Sequence, residues 1–139
     1  MPRGTLEVVL ISAKGLEDTD FFGKIDPYVI LTYRSQEHKS TVLEGAGTKP
    51  QWNESFLFTV IDSASELNLR IMDKDNLSDD DYLGEATIPL HAVFAEGSYP
   101  ETSYNVVKDE KFCGEIKVAL NFTPESGDDD DCGCGEQDF

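Results

Sequence analysis

The stretch ELNLRIMDKDNLSDDDYLGEATIPL (66–90) alternates apolar and polar residues, then gathers acids, then alternates again. In ELNLRIM (66–72) the two leucines and the isoleucine share one face of an extended chain, because successive side chains of a strand point to opposite sides. A period of two predicts strands instead of helices, here at 66–72 and at 84–89. The acids between them therefore lie in a loop that connects two strands.

The same two-residue period recurs along the rest of the chain. Gly, Pro, Asp and Ser separate the alternating segments, as expected for turns. The further predicted strands are 5–13, 27–33, 38–43, 55–60, 102–107 and 114–122. Only LHAVFAEG (90–97) indicates a helical turn. Eight short strands separated by turns predict an all-β fold, an eight-stranded antiparallel sandwich.

Composition divides the chain into two parts. With 139 residues and 39% apolar content, one domain with a single core is expected. The segment 125–139 holds seven acids, no base and one aromatic residue, a composition typical of disorder. We therefore predict a folded domain over 1–124 and a disordered acidic tail over 125–139.

The net charge of −17 limits the possible partners. It argues against nonspecific nucleic-acid binding, which depends on Lys and Arg, and against simple attraction to anionic lipid. The N-terminus is a poor signal peptide, and no apolar run approaches the roughly 20 residues of a spanning helix. Three cysteines do not make a disulfide framework. We expect a soluble cytoplasmic protein.

Two loops carry acids that could meet. The loop after strand 66–72 and the loop over 14–26 would lie together if strands 5–13 and 66–72 are neighbours. Carboxylates from flexible loops suit Ca²⁺, which takes about six to eight oxygen ligands, and neither loop holds the Cys or His typical of zinc sites. The acids concerned are Asp20, Asp26, Asp73, Asp75 and Asp81.

The spacing excludes an EF-hand. Counting from Asp73, the fifth, sixth and twelfth positions are Leu77, Ser78 and Gly84, where that motif needs Asp or Asn, Gly and Glu. The residues by themselves leave two interpretations open, a solvated acidic turn and a calcium site.

Three segments resemble a known family. KIDPYVILTY (24–33), TKPQWNESFLF (48–58) and DKDNLSDDDYLGEATIPL (73–90) are similar to the C2 domain, the calcium-dependent lipid-binding β-sandwich of synaptotagmins and conventional protein kinases C. The resemblance covers 4–123, with Lys49 where the family motif has Asn. The order of the strands resembles the circularly permuted type II topology. Overall the chain looks most like the small single-C2 plant proteins of the elicitor-responsive type.

The resemblance implies a role for each site residue. Asp20, Asp73 and Asp75 would bridge two Ca²⁺ ions, and Asp26 and Asp81 would close opposite sides. The remaining implied residues are the carbonyl ligands Phe21 and Lys74, the ligand Ser78 for a possible third ion, and the membrane-contacting Phe21, Phe22 and Leu77. Asp79 and Asp80 fall outside the matched positions, so we expect them on a solvated face of the loop.

The implied function is a calcium-dependent phospholipid-binding module in calcium or defence-type signalling or in trafficking. It would be a non-enzymatic monomer that moves from the cytoplasm to the periphery of the plasma membrane when calcium rises, and anionic phospholipid would be its partner. The alternative is a C2-fold adaptor that binds protein or RNA, with calcium secondary. Catalysis is not expected, because no nucleophile and base are paired in the sequence.

Overall fold

The computed structural model describes residues 3–16, 25–61 and 66–125, which form antiparallel strands and a short helix. In chain order the elements are β1 (Gly4–Lys14), β2 (Pro27–Tyr33), β3 (Gln36–Lys39), β4 (Gln51–Val60), β5 (Glu66–Asp73), β6 (Asp81–Pro89), α1 (His91–Glu96), β7 (Ser98–Lys108) and β8 (Lys111–Pro124). The all-β class and the eight antiparallel strands predicted from the sequence are confirmed. Among these residues, no helix has the length and apolar character that crossing a bilayer needs.

The core forms where the alternating strands turn their apolar sides to one another. On β5 the side chains of Leu67, Leu69 and Ile71 are fully buried. Strand β8 buries its even-numbered residues from Ile116 to Phe122 in the same cluster. Because burying one such side chain contributes about 1.5–3 kcal/mol, this inward face holds the sandwich together.

The strand order is β3-β2-β5-β6-β7-β8-β1-β4. Between β6 and β7 a single registered pair, Glu85 with Val107, joins two four-stranded halves. The first strand lies inside the second half, between β8 and β4. Strand β1 is therefore not a neighbour of β5, so the condition under which the sequence brought the two acidic loops together is not met. The type II designation stays a prediction.

The largest error in the predicted boundaries concerns the strand at 38–43. Strand β3 ends at Lys39. The Ser40 amide still donates to the Val29 carbonyl oxygen at 2.8 Å, but the Ser40 hydroxyl, instead of its carbonyl oxygen, accepts the Val29 amide at 2.8 Å. The next residues are held by the following strand instead: the indole Nε1 of Trp52 donates to the Thr41 carbonyl oxygen at 2.9 Å. Side-chain bonds and isolated backbone bonds, such as that from the Leu43 amide to the Pro27 carbonyl oxygen at 3.1 Å, take the place of the predicted regular strand here.

One end of the sandwich collects the acidic loops. Antiparallel pairing sets Pro27 of β2 opposite Asp73 of β5, and Asp73 opposite Asp81 of β6. Strand β2 therefore begins where β5 ends and β6 begins. The loop after β3 reaches the same end, since the Gly45 amide donates to Oδ1 of Asp26 at 2.7 Å.

Candidate metal-binding loops

Asp26 and Asp73 lie side by side at this end. The Asp26 amide donates to Oδ1 of Asp73 at 2.8 Å, and the Lys74 amide donates to the Asp26 carbonyl oxygen at 3.0 Å. Asp73 is only 6% exposed, so the carboxylate is held in a largely dry position. Two of the predicted ligands, 47 residues apart in the chain, are thus joined directly.

Asp81 begins β6 opposite Asp73 and is exposed to solvent. The register shift between Ile71 and Met72 marks a bulge just before this edge. Bulges re-aim side chains near the ends of strands. The pairing of three strands thus brings Asp26, Asp73 and Asp81 to one edge, and their role as ligands stays a prediction.

Asp75 lies in the loop between β5 and β6 and folds over its own backbone. Its Oδ1 accepts the Leu77 amide at 2.9 Å, and its Oδ2 accepts the Ser78 hydroxyl at 2.8 Å. These donors, the Leu77 amide first, hold the pKa of the Asp75 carboxyl below its usual value. The Ser78 hydroxyl therefore donates to the carboxylate of Asp75, a predicted ligand. The role of Ser78 as a ligand itself stays a prediction.

Asp80 is not on a solvated face, and that expectation is wrong. Only 18% of its side chain is exposed. Its Oδ1 accepts the Asp75 amide at 2.9 Å, and its Oδ2 accepts the hydroxyl of Tyr28. The ammonium of Lys74 lies 3.9 Å from Oδ1. Asp79, in contrast, is exposed as expected.

The pair of Asp80 and Tyr28 has perturbed acidity in both partners. The Asp75 amide and then the Tyr28 hydroxyl stabilise the carboxylate, which lowers the pKa of Asp80. Burial first, and then the hydrogen bond to this carboxylate, raises the pKa of Tyr28 to about 12. Nothing in the sequence pattern could have found the pair, because its members are 52 residues apart and meet only when β2 pairs with β5.

The remaining predicted site residues divide into two groups. Asp20, Phe21 and Phe22 lie outside the described residues. Leu77 is 98% exposed at the loop between β5 and β6, so its side chain buries almost nothing within the fold.

The described carboxylates do not form a preorganised metal site. Across residues 3–16, 25–61 and 66–125, no group of three or more His, Cys, Asp or Glu side chains is arranged to hold a metal ion. Asp26 and Asp75 are instead turned towards loop amides, which act as partial positive charges beside them. The donor set of oxygen atoms alone nevertheless fits Ca²⁺ better than the softer Zn²⁺.

Trp52, His38 and Cys113 have structural roles. Trp52 is 7% exposed and packs in the core. The ring of His38 contacts Phe58, and its Nε2 lies 2.9 Å from the Leu57 carbonyl oxygen. The thiol of Cys113 is half-buried and donates to the Leu83 carbonyl oxygen at 3.4 Å.

Known proteins resemble this chain closely. The family model described as "C2 domain" matches residues 4–106. "16 kDa phloem protein 2" of Arabidopsis thaliana is 63% identical over 124 residues, which cover 89% of this chain and 84% of the relative. "Elicitor-responsive protein 3" of Oryza sativa subsp. japonica is 56% identical over 139 residues, which cover 100% of this chain and 95% of the relative.

Solved structures agree with the sequence relatives. A C2 domain-containing protein superposes with a TM-score of 0.80 at 60% identity, covering 93% of this chain and 95% of the other. The calcium-bound pair of C2 domains from Extended-Synaptotagmin 2 gives a TM-score of 0.77 at 28% identity, covering 89% of this chain and 47% of the other. On this evidence the chain belongs to the C2 domain family, among its small single-C2 plant proteins.

Proposed function

We propose that the chain is a calcium-regulated module that binds the surface of anionic phospholipid membranes. The observation that carries the proposal is the direct link between Asp26 and Asp73, which holds two acidic loops together at one end of the sandwich. The relative Extended-Synaptotagmin 2 has a structure described as calcium bound, which supports the proposal that this chain binds calcium.

Five aspartates and two carbonyl groups would hold the metal. When bound, two Ca²⁺ ions would supply four positive charges against the five negative charges of these carboxylates. Asp26 and Asp73 would present oxygens from rigid strand ends, and Asp75 would present them from the loop. The proposed ligands are Asp20, Asp26, Asp73, Asp75 and Asp81, the carbonyl oxygens of Phe21 and Lys74, and Ser78 for a third ion.

Charge explains why the metal would control membrane binding. A chain with a net charge of −17 is repelled by anionic lipid, and the repulsion is strongest where the acids gather. Bound calcium would neutralise the acidic end of the sandwich and so remove the repulsion from anionic lipid at the place where Leu77 is exposed. Phe21 and Phe22 are proposed to insert beside it. The module would be a non-enzymatic cytoplasmic monomer that reaches the plasma membrane when calcium rises, in defence-type signalling or trafficking.

Liposome sedimentation tests this proposal directly. Vesicles of phosphatidylcholine and phosphatidylserine should pellet the chain in Ca²⁺ and release it in EDTA. The pair Asp73→Asn and Asp75→Asn should abolish pelleting. The matched pair Asp79→Asn and Asp109→Asn changes the net charge equally, at an exposed loop position and an exposed hairpin turn, and should leave pelleting intact. Pelleting that is the same in Ca²⁺ and in EDTA would contradict the proposal.

Thermal unfolding provides a second test that needs no lipid. A ligand that binds only the folded state raises the melting temperature, so saturating Ca²⁺ should do so. Mg²⁺ should act much more weakly, because it demands a tight octahedron that these loops are poorly suited to supply. If the variant that carries Asp73→Asn and Asp75→Asn keeps the calcium shift, the metal binds elsewhere.

An adaptor function is the alternative that one surface feature favours. On the edge strand β4, Leu57 is 60% exposed, and Ile61, just after that strand, is 54% exposed, although both lie away from the acidic loops. Exposed apolar side chains on an edge strand suit contact with another protein. Binding to a protein partner that is equal in Ca²⁺ and in EDTA, and is lost in Leu57→Asp, would favour the adaptor.

A further inference from the structure

Asp80 connects the loop between β5 and β6 to the rigid sheet. Its two carboxylate oxygens take different donors: Oδ1 accepts the Asp75 amide and Oδ2 accepts the Tyr28 hydroxyl. Tyr28 is 7% exposed and lies in β2, where it pairs with Met72 of β5. The carboxylate therefore joins the backbone at Asp75 to a side chain that the sheet holds in place.

We propose that Asp80, together with Tyr28, is the positioning residue of the calcium loop. It would hold the backbone at Asp75 so that Asp73 and Asp75 face the same space, without binding metal itself. This inference rests on the proposed function, since it assigns a further residue to the same site.

Charge repulsion explains why such an anchor is needed. The loop over 74–80 has no regular secondary structure, and three aspartates in it repel one another and the neighbouring Asp73. A loop under this repulsion would spread apart unless specific bonds restrain it. Hydrogen bonds to an ionised carboxylate are stronger than neutral ones, so Asp80 is suited to restrain it.

The same contacts distinguish Asp80 from a metal ligand. Each of its oxygens already accepts a donor, and the Lys74 ammonium lies 3.9 Å from Oδ1. Asp75 also accepts two donors, but both come from its own loop, whereas one donor to Asp80 is the Tyr28 hydroxyl of β2, so a turn of Asp80 towards a cation would break the connection to the sheet. Its adjacent neighbour Asp79 is exposed and carries the same charge, so it provides a matched control.

Calcium affinity measured by isothermal titration on the full chain tests the proposal. Asp80→Ala should weaken binding about tenfold or more, and Tyr28→Phe, which removes only the hydroxyl, about threefold. Asp79→Ala should change the affinity by less than about twofold, since exposed charges interact weakly through water. Combining Tyr28→Phe with Asp80→Ala should add nothing to Asp80→Ala alone, because both changes break one connection.

A conservative variant separates geometry from charge. In Asp80→Asn the amide oxygen can still accept the Asp75 amide, and the amide nitrogen can donate to the Tyr28 oxygen. This variant should therefore keep its affinity within about threefold of the parent. If it binds as weakly as Asp80→Ala, or if Asp79→Ala is equally weak, the effect is one of charge and the positioning role is wrong.

A measurement without calcium distinguishes failure of this inference from failure of the proposed function. In EDTA, hydrogen exchange at the Asp75 amide should become at least about tenfold faster in Asp80→Ala and stay unchanged in Asp79→Ala. A parent that binds no calcium would contradict the proposed function, yet the exchange data would still test the anchor. Unchanged Asp75 exchange in Asp80→Ala would refute the anchor, even if calcium binds.

Discussion

Leu77→Ala tests whether the loop between β5 and β6 enters the membrane. Leu77 is 98% exposed, whereas its amide donates to Asp75 at 2.9 Å. Alanine keeps that amide and removes only the apolar tip. The substitution therefore leaves the proposed ligands and the fold unchanged while it shortens the part that would contact lipid.

The expected magnitude follows from the apolar surface that the substitution removes. Leucine has three more carbon atoms than alanine, and each buried methylene contributes about 0.8 kcal/mol, so full insertion would lose about 2.4 kcal/mol. Insertion of half of that surface would lose about 1.2 kcal/mol. Since about 1.4 kcal/mol corresponds to one decade, affinity for vesicles should fall about 7- to 50-fold.

The assay is sedimentation with phosphatidylcholine and phosphatidylserine vesicles in saturating Ca²⁺. Leu57→Ala is the matched control, because it makes the same chemical change at a 60% exposed position on β4. It should bind vesicles like the parent. Thermal stability and its increase with calcium should be unchanged in Leu77→Ala, because this side chain buries almost nothing on folding. Adding Phe21→Ala should weaken vesicle binding further.

Equal vesicle binding by Leu77→Ala and the parent would refute insertion at this position. Calcium would then act only as an electrostatic bridge between the acidic loops and lipid phosphates. A loss of the calcium-induced thermal shift in Leu77→Ala would refute the separation between ligands and lipid contact on which the reasoning depends.

Three further predictions concern the fold. Gly84→Ala should lower the free energy of unfolding, measured in urea, by about 1–3 kcal/mol more than Gly45→Ala does. Both glycines have positive φ, but only at Gly84 would an added Cβ meet Val106, at 2.6 Å. Equal costs would contradict this. Trp52→Phe should lower the free energy of unfolding by about 1 kcal/mol, because it removes the hydrogen bond to the Thr41 carbonyl oxygen, and it should leave the calcium affinity unchanged. Folding raises the pKa of Tyr28 from 10.0 to about 12. The neutral hydroxyl therefore contributes about 3 kcal/mol to the free energy of unfolding below pH 10, and this contribution is lost as the pH rises towards 12. Tyr28→Phe should lack this part of the alkaline loss, as measured by urea unfolding at each pH.

The strands and the core follow from local sequence. Alternation in ELNLRIM (66–72) places Leu67, Leu69 and Ile71 on one face whatever the partner strands are, because the side-chain period is a property of the extended chain itself. All three are fully buried in the structure. The acidic loop after them is equally local, since a dense run of charge cannot enter a core.

The neighbours of each strand depend on the tertiary structure. The sequence brought the acids together only on the condition that β1 and β5 are neighbours, whereas Asp26 and Asp73 meet because β2 pairs with β5. Strand β3 ends early, where the Ser40 hydroxyl, instead of its carbonyl oxygen, accepts the Val29 amide. Both outcomes depend on contacts between distant segments, and a periodic pattern carries no information on which strands pair.

The roles of the acids show the same division. The spacing and the C2 resemblance predicted Asp73 and Asp75 as ligands. For Asp80 the sequence predicted only a solvent-exposed carboxylate. Only pairing of β2 with β5 brings the Tyr28 hydroxyl within reach of Asp80. That hydrogen bond stabilises the carboxylate of Asp80 in a partly buried position. Sequence determines which residues are charged and on which side of a strand they lie. Tertiary structure decides which charges are solvated and which are hydrogen-bonded, because a donor 52 residues away becomes a neighbour only in the folded chain.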